Sequence, residues 1–231
     1  MAQQNERIYG GVSAQQRRDQ RRAALVEAGL QLFGTEGYLN APVKRICDEA
    51  GLTQRYFYES FNDREDLLDA VYRACVDILR TATTTAAADY LAQVPEVAAG
   101  GAVPEQHIPP LARIAFGSFL ETLTADPRRA RVILIEVVGV SPALEELRLG
   151  AIHDWADLIV GFTMPGPEDA ARHTIAAIGL VGAITQLLVD WQTAAANPVD
   201  ARFGPELFTV EAIHDVTTEM LVGTYRHVLR P

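Results

Sequence analysis

The sequence predicts an all-α protein with an N-terminal three-helix unit and a larger helical unit behind it. Apolar residues recur at intervals of three and four along most of the 231-residue chain, which is the period of one helix face. No stretch alternates apolar and polar residues as a half-buried strand would. Prolines stand where several of the predicted helices begin, a position that tolerates their missing N–H and fixed φ.

The composition is that of an ordinary globular protein, with 48% apolar and 22% charged residues. No run reaches the roughly eighteen uninterrupted apolar residues of a membrane span, and the polar start lacks the apolar centre of a signal peptide. We therefore expect a cytoplasmic protein with no membrane partner. Residues 1–72 carry nine basic and eleven acidic side chains, so most of the net charge of -10 lies beyond them.

Two short helical patterns joined by a glycine occupy residues 42–60. In the first, four apolar residues share one helix face: Val43, Ile46, Cys47 and Ala50. Pro42 suits the first position of this helix. Gly51 follows the last periodic residue, where a left-handed conformation that glycine adopts at little cost commonly ends a helix.

The second pattern runs from about Gln54 to Ser60, and the Thr53 hydroxyl is placed to cap it. Two helices joined by a three- or four-residue glycine turn form a helix-turn-helix, whose second helix lies in the DNA major groove. Gln54 and Arg55 occupy the leading positions, and Gln pairs bidentately with adenine as Arg does with guanine. Many helix–glycine–helix pairs never touch DNA, so the spacing alone leaves both interpretations open.

A longer ordered series surrounds this pair. It comprises Leu32-Phe33, Gly37-Tyr38, Val43, Ile46, Ala50-Gly51-Leu52-Thr53, Phe57-Tyr58, Phe61, Arg64 and Leu67-Leu68. The series resembles the TetR family of one-component regulators over roughly residues 21–72. The resemblance implies a helix-turn-helix DNA-binding domain at 17–65 and a helical effector-binding and dimerisation domain at 66–231.

On this resemblance, eight side chains form the predicted DNA-binding set: Arg21, Lys44, Thr53, Gln54, Arg55, Tyr56, Tyr58 and Arg64. Three positions depart from the family pattern. Ala41-Pro42 stands where two hydroxyl residues are usual, Arg55-Tyr56 replaces a commonly small pair, and Ser60 occupies a position where an aromatic residue or His is frequent. We infer an unusual operator sequence rather than lost DNA binding, because a larger, charged helix tip adds reach.

The flanking helices complete the N-terminal unit. Residues 1–16 are expected to be disordered or arm-like, and a first helix is predicted at 17–34 with a buried stripe of Leu25, Ala28, Gly29, Leu32 and Phe33. Asn62 or Asp63 can cap a fourth helix. Its apolar stripe, Leu67, Leu68, Val71, Cys75 and Ile78, continues past the helix pair, so we expect a strut shared by both domains. Both cysteines are predicted to be buried thiols.

The remaining chain is punctuated by prolines. Residues 92–110 contain four prolines and two glycines, so they cannot form one helix and are expected to be a lid or disordered. His107 within them is interpreted as solvated. Helices are predicted at about 110–124, 127–138, 142–163, 167–195 and 206–229, with Asp126 and Ser141 as caps.

The resemblance implies an effector pocket in the second domain. The predicted lining consists of Phe116, Phe119, Ile133, Glu136, Val137, Trp155, Ile159, Phe162, His173, Ala177, Ile178 and Val181. A plain apolar core is the alternative for each apolar member. Glu136 must find a partner, either a cation of the protein or the ligand, because an unpaired buried carboxylate is costly. Asp169 and His173 are spaced as a metal pair, but no further ligands accompany them, and neither a metal nor a cofactor is predicted.

A homodimer is predicted because residues 175–191 are apolar on more than one helix face, which a single domain's end helix cannot cover. Gly179 and Gly182 would allow close helix approach. The predicted interface comprises Ile178, Val181, Thr185, Leu188, Trp191, Ile213, Val216, Met220 and Tyr225. A two-fold dimer would hold two reading heads about one DNA turn (~34 Å), or a multiple, apart.

The function expected from these features is that of a ligand-responsive transcription regulator. We expect it to be a repressor that a small hydrophobic effector releases from a palindromic double-stranded DNA operator. One alternative is a regulator controlled by a protein partner. Another is a helical enzyme using Glu136 or a histidine as acid or base, although no nucleophile and base stand at a defined spacing.

Overall fold

The computed structural model describes residues 13–162, 168–196 and 206–230, and every regular element within these ranges is helical. The helices are α1 (Ala14–Thr35), α2 (Val43–Glu49), α3 (Gln54–Tyr58), α4 (Arg64–Leu91), α5 (Pro95–Ala98), α6 (Ile108–Thr124), α7 (Pro127–Arg131), α8 (Pro142–Gly161), α9 (Ala170–Ala196) and α10 (Val210–Thr224). Short 3₁₀ helices lie at Tyr38–Asn40 and Glu105–His107, and π-helical turns at Val132–Glu136 and Tyr225–Leu229. The all-α prediction is confirmed.

The chain divides into two compact units, Met1–Val71 and Tyr72–Pro231. The division falls inside α4. The boundary expected from the sequence, after residue 65, lies in the same helix.

The core of the first unit is built by the residues that the apolar periodicity selects. The predicted stripe of α1 is buried along its whole length, as are Ile46 and Cys47 on α2 and Phe57 on α3. Gly29 lies so close to α4 that a Cβ there would be 2.9 Å from Val71 Cγ2. The unit therefore has one continuous apolar core shared by its helices.

The first helix begins earlier than the sequence interpretation placed it. Ser13 caps α1, its hydroxyl accepting from the Gln16 N–H while the Gln16 side chain accepts from the Ser13 N–H. This reciprocal arrangement is the capping box signature, Ser followed by Gln three residues later. It extends the helix into the segment expected to be arm-like, of which residues 1–12 lie outside the described ranges.

The turn between α2 and α3 has the geometry expected of it. Gly51 has a φ of +65°, and the N–H groups of Gly51 and Leu52 donate to the carbonyls of Asp48 and Cys47, a Schellman motif. Pro42 caps α2 instead of opening its first turn. Thr53 stands at the cap position of α3, but its hydroxyl makes no capping bond, so that part of the prediction is wrong.

In the second unit α8 packs along α9 and α6 along α10. One core cluster joins α4, α6, the π-helical turn after α7, α9 and α10, and includes Leu79, Phe116 and Leu188. Ile78, predicted on the buried stripe of α4, is instead 42% exposed, whereas Leu79 is buried. The inward stripe of α4 therefore shifts by one residue beyond Cys75.

Several helix limits follow their caps. Asp126 accepts from the Arg128 N–H and Ser141 from the Leu144 N–H, as predicted. Thr209 caps α10, so this helix begins at Val210 rather than near residue 206. The predicted breaks at 166–167 and 204–205 lie outside the described residues.

The segment before α6 is partly ordered by side-chain contacts. His107 Nδ1 lies 2.8 Å from the Tyr90 hydroxyl, and the pair is partly buried. The expectation of a solvated His107 is therefore wrong. Periodicity cannot reveal such a contact, because it joins the end of α4 to a 3₁₀ turn.

Candidate nucleic-acid interface and internal cavity

The first residues of α3 form an exposed row. Thr53, Gln54 and Arg55 are all exposed, and the Arg55 side chain is 84% accessible. Tyr58 is also exposed, whereas Phe57 between these residues is fully buried. This difference in exposure follows from the helical period. Phe57 lies on the face of α3 that packs against the core, so Gln54, Arg55 and Tyr58 lie on faces that are exposed.

Two arginines meet one carboxylate beside α3. Arg55 Nε lies 3.0 Å from Glu59 Oε1, and Arg21 Nη2 lies 3.8 Å from Glu59 Oε2. The Arg21 guanidinium also lies 4.4 Å from the centroid of the half-buried Tyr56 ring. Sequence reasoning omitted Glu59, although its i,i+4 spacing from Arg55 is a recognisable signal for a helix pair.

The other two predicted DNA contacts differ from each other. Lys44 is exposed on α2 and pairs with Asp48 at 2.9 Å. Arg64 is partly buried, and its Nη1 donates to the carbonyls of Tyr38 at 3.1 Å and Ala41 at 3.3 Å. Arg64 therefore fixes the segment that precedes α2, a role that the resemblance did not suggest.

The cysteine of the first unit is not poised for thiolate chemistry. Burial raises the pKa of the Cys47 thiol, and the neighbouring Asp48 charge raises it further. A thiol with a raised pKa reacts slowly with oxidants and metals. Both cysteines are buried thiols, as expected.

An apolar cavity of about 690 Å³ lies in the second unit. Residues of α4, α6, α8, α9, α10 and both π-helical turns line it. Seven of the twelve predicted lining residues are among them: Phe116, Phe119, Ile133, Trp155, Ile159, Phe162 and Val181. Phe119 meets Trp155 edge to face with ring centroids 5.5 Å apart, so aromatic side chains from α6 and α8 form one wall.

The other five predicted lining residues have different surroundings. Val137, His173 and Ala177 are buried away from the cavity, and Ile178 packs against a small cluster of α8 and α9 residues. Glu136 is paired with Arg131, whose Nε lies 2.8 Å from Glu136 Oε1. The protein thus supplies the cation that this carboxylate requires.

The lining also contains residues that periodicity did not single out. Tyr72 on α4 and Arg148 on α8 are two of them. Tyr72 had the appearance of an ordinary core aromatic and Arg148 of a surface charge, so neither carries a sequence signal for a cavity. Asp169 and His173 gain no third metal-ligating side chain within the described ranges.

The predicted dimer residues are distributed between interior and surface. Val181, Leu188 and Ile213 are buried within the protomer, and Thr185 and Tyr225 line the cavity. Trp191 packs on the main core cluster, and Met220 is half-buried. Val216 is exposed, as are Ile175, Gly179 and Gly182 on α9.

The fold is shared with solved structures of regulators. The fatty acid degradation regulator FadR from Bacillus halodurans superposes with a TM-score of 0.62 at 18% identity, covering 90% of this chain and 97% of that one. FadR from Bacillus subtilis in complex with stearoyl-CoA gives 0.60 at 14% identity, covering 87% and 97%. A protein from Syntrophomonas wolfei described as a TetR-family regulator gives 0.60 at 15% identity, covering 89% and 96%.

A sequence comparison gives a match within the N-terminal unit. No curated protein matches the chain. Residues 25–71 match the family described as bacterial regulatory proteins, tetR family, and this segment contains the helix-turn-helix with its exposed α3. Over residues 25–71 the chain therefore matches the tetR family of bacterial regulatory proteins, and over most of its length it shares the fold of the solved regulators.

Proposed function

We propose that this protein is a homodimeric repressor that leaves a palindromic operator when a small, largely apolar effector fills the cavity of its second unit. The observation that carries the proposal is the exposed α3 row, Thr53 to Arg55, within the segment that matches the family. The cavity supplies the second half of the mechanism. DNA binding by α3 and effector binding in the cavity can each be tested separately.

Gln54 and Arg55 are assigned to base edges. The Arg55–Glu59 pair would have to open for Arg55 to reach a guanine. An exposed pair of this kind contributes roughly 0–1 kcal/mol, whereas a bidentate Arg–guanine contact discriminates by about 1–3 kcal/mol, so the exchange is favourable on the correct sequence.

Phosphate contacts are assigned to Arg21, Lys44, Thr53, Tyr56 and Tyr58. The Thr53 hydroxyl makes no bond at the helix cap and is exposed, so it can donate to a phosphate oxygen. Arg64 is assigned a positioning role, because its guanidinium already binds two backbone carbonyls. Phosphate contacts set affinity and register, while base contacts set the operator sequence.

The cavity supports a small-molecule effector over control by a protein partner alone. Its volume lies within the roughly 300–1,000 Å³ of ligand sites, and most of its lining is aliphatic or aromatic. The described lining holds no histidine or carboxylate, so nothing there favours the acid–base enzyme. FadR from Bacillus subtilis, which has a similar fold, was solved in complex with stearoyl-CoA. This similarity supports an effector with a long apolar part for the present protein.

The dimer contact is assigned to the exposed faces of α9 and α10. Part of α9 is long and apolar enough to span a bilayer by composition, yet only 22% of that stretch is buried inside the protomer. Ile175 is 72% exposed, and a Cβ at Gly179 or Gly182 would meet no atom within 4 Å. A second copy of this face would cover the apolar surface. We omit Val181, Leu188 and Ile213 from it because they face inward.

The effector acts by population shift. It would bind more tightly to a dimer state in which the two α3 helices do not match adjacent major grooves. Moving the equilibrium from 1:99 to 99:1 requires a preference of about 5.5 kcal/mol. A ligand that binds both states equally would change nothing.

Substituting Arg55 tests the DNA half of the proposal. An operator is first selected from random duplex DNA with the wild-type protein. Arg55→Ala should then bind it about 1–3 kcal/mol more weakly and lose preference at one base pair per half-site. Arg80→Ala removes an equal charge from an exposed arginine of the second unit and should bind as the wild type does. Equal weakening of Arg55→Ala on all DNA would place Arg55 at a phosphate instead.

A further inference from the structure

One end of the cavity differs chemically from the rest. Arg148 is the one charged side chain in the described lining, and Tyr72 lines the same cavity. The Arg148 and Glu145 charges both act on the pKa of Tyr72. The Tyr72 side chain is only 3% exposed. Among the described residues its hydroxyl has no hydrogen-bond partner, although buried phenols usually have one.

The guanidinium of Arg148 is held in place from outside the cavity. Its Nε and Nη2 donate to Glu145 Oε2 at 3.0 and 2.9 Å. The second oxygen of Glu145 accepts from the Gly139 N–H at 2.7 Å, so the carboxylate is anchored on both sides. Glu145 itself is not part of the lining. Only part of the five-donor guanidinium is used by Glu145, and the rest remains available to a ligand.

The charge states suit an anion acceptor. The Gly139 N–H and then Arg148 hold the pKa of Glu145 below its ordinary value, so the carboxylate that orients Arg148 stays ionised near neutral pH. Burial raises the pKa of Tyr72 to about 12, so its hydroxyl keeps its proton. Tyr72 is therefore a hydrogen-bond donor in the same lining as Arg148.

Four other polar side chains of the lining already form hydrogen bonds within the protein. The hydroxyls of Thr83, Thr84 and Thr185 donate to carbonyls of their own helices, and the Gln186 amide donates to Asp190. These groups make the wall less polar than its composition indicates. Tyr72 and Arg148, by contrast, keep donors that a ligand in the cavity can use.

We propose that the effector is a carboxylate-bearing amphiphile, whose carboxylate binds Tyr72 and Arg148 and whose hydrocarbon part fills the apolar remainder of the cavity. The inference rests on the proposed function and specifies its effector. A carboxylate accepts charge-assisted hydrogen bonds from both donors. An alcohol of the same chain length would fill the apolar part equally well but make weaker bonds with the head group.

Isothermal titration calorimetry of the full chain with decanoate and with 1-decanol at pH 8 tests this inference. The wild type should bind decanoate roughly 10- to 100-fold more tightly, the factor expected for a hydrogen bond to a charged group. Arg148→Met and Tyr72→Phe should each reduce that ratio while leaving decanol affinity within about twofold of the wild type. Arg148→Lys, which keeps the charge, should retain part of the preference.

Arg80→Met is the matched control, because Arg80 pairs with Asp154 and does not line the cavity. It should keep the full preference for decanoate. Equal affinity of the wild type for both ligands, or a preference that survives in Arg148→Met and Tyr72→Phe, would overturn the carboxylate assignment while leaving an apolar effector in place. Binding of neither ligand would overturn the effector cavity itself.

Discussion

The guanidinium carbon of Arg21 lies 4.4 Å from the centroid of the Tyr56 ring, and this contact joins α1 to α3. Glu59, the residue after α3, lies 3.8 Å from the same guanidinium. A cation–π contact of this kind contributes about 0.5–1 kcal/mol at an exposed site and about 2 kcal/mol when desolvated. Tyr56 can therefore act as a brace through its ring and as a DNA contact through its hydroxyl.

Two substitutions of Tyr56 separate these roles. Tyr56→Phe keeps the stacked ring, so any loss of operator affinity reports the hydroxyl, and we expect a loss of about 0.5–1.5 kcal/mol. Tyr56→Ala removes both and should lose more affinity, together with up to about 2 kcal/mol of stability. Operator titrations and urea unfolding of both variants measure these effects. Equal affinity of Phe and wild-type proteins would confine Tyr56 to bracing.

The exposed face of α9 can be tested without disturbing the protomer. A Cβ at Gly182 meets no atom within 4 Å, so Gly182→Trp should fold normally but block a close helix–helix contact between copies. Gly150→Trp on α8 is the matched control, since Gly150 is equally open. Sedimentation velocity should show a monomer for Gly182→Trp and a dimer for Gly150→Trp. A dimer in both variants would place the interface elsewhere.

The close approach of α1 to α4 should make Gly29 intolerant of larger residues. A Cβ there would lie 2.9 Å from Val71 Cγ2 and 3.1 Å from Leu67 Cδ2. Overpacking a core of this kind costs roughly 1–3 kcal/mol, so Gly29→Leu should lower the urea midpoint by a corresponding amount. Gly150→Leu, at an open helical position, should be neutral or slightly stabilising because Leu favours helix. An unchanged midpoint for Gly29→Leu would mean that the two helices separate easily.

Acid should weaken the start of α7. Hydrogen bonds from the Arg128 side chain lower the pKa of Asp126 below its ordinary value. A carboxyl with a depressed folded-state pKa stabilises the protein above its unfolded pKa of about 3.9 and loses that contribution as pH falls through the folded value. Asp126→Asn keeps a capping oxygen but not the charge. It should therefore be less stable than the wild type at pH 7, and the difference should shrink below about pH 4.

Chemical denaturation of the wild type and Asp126→Asn at pH 7 and at pH 3 measures this difference in stability directly. A difference between the wild type and Asp126→Asn that stays constant from pH 7 to pH 3 would show that the charge of Asp126 contributes nothing to stability.

The periodic positions of the first unit were predictable because burial there depends on local sequence. Ile46 and Cys47 lie on the predicted apolar face of α2, and the structure buries both. The limits of helices were less certain where a cap decides them. The Ser13–Gln16 pair has the spacing of a capping box, so the sequence contains a signal for the start of α1. The absence of a Thr53 capping bond depends on a side-chain rotation that no sequence pattern encodes.

The cavity was predictable only in its apolar part. Phe116, Phe119 and Trp155 lie on inward stripes of their helices and do line it. Arg148 reads as a surface charge, and its place at the cavity depends on how α8 packs on its neighbours. Glu136 is the opposite case. Its position within an apolar run indicated a place in the cavity lining, but it forms a salt bridge with Arg131, five residues away in the sequence.

In the proposed mechanism, occupancy of the cavity lowers the affinity of the protein for its operator. Fluorescence anisotropy of a labelled operator, selected from random sequence, measures it with and without decanoate at a concentration that calorimetry shows to be saturating. We expect the operator affinity to fall by about 5- to 150-fold, the usual range of allosteric coupling, while the weak binding to scrambled DNA stays unchanged. Equal operator affinity at saturating decanoate would contradict ligand-controlled release.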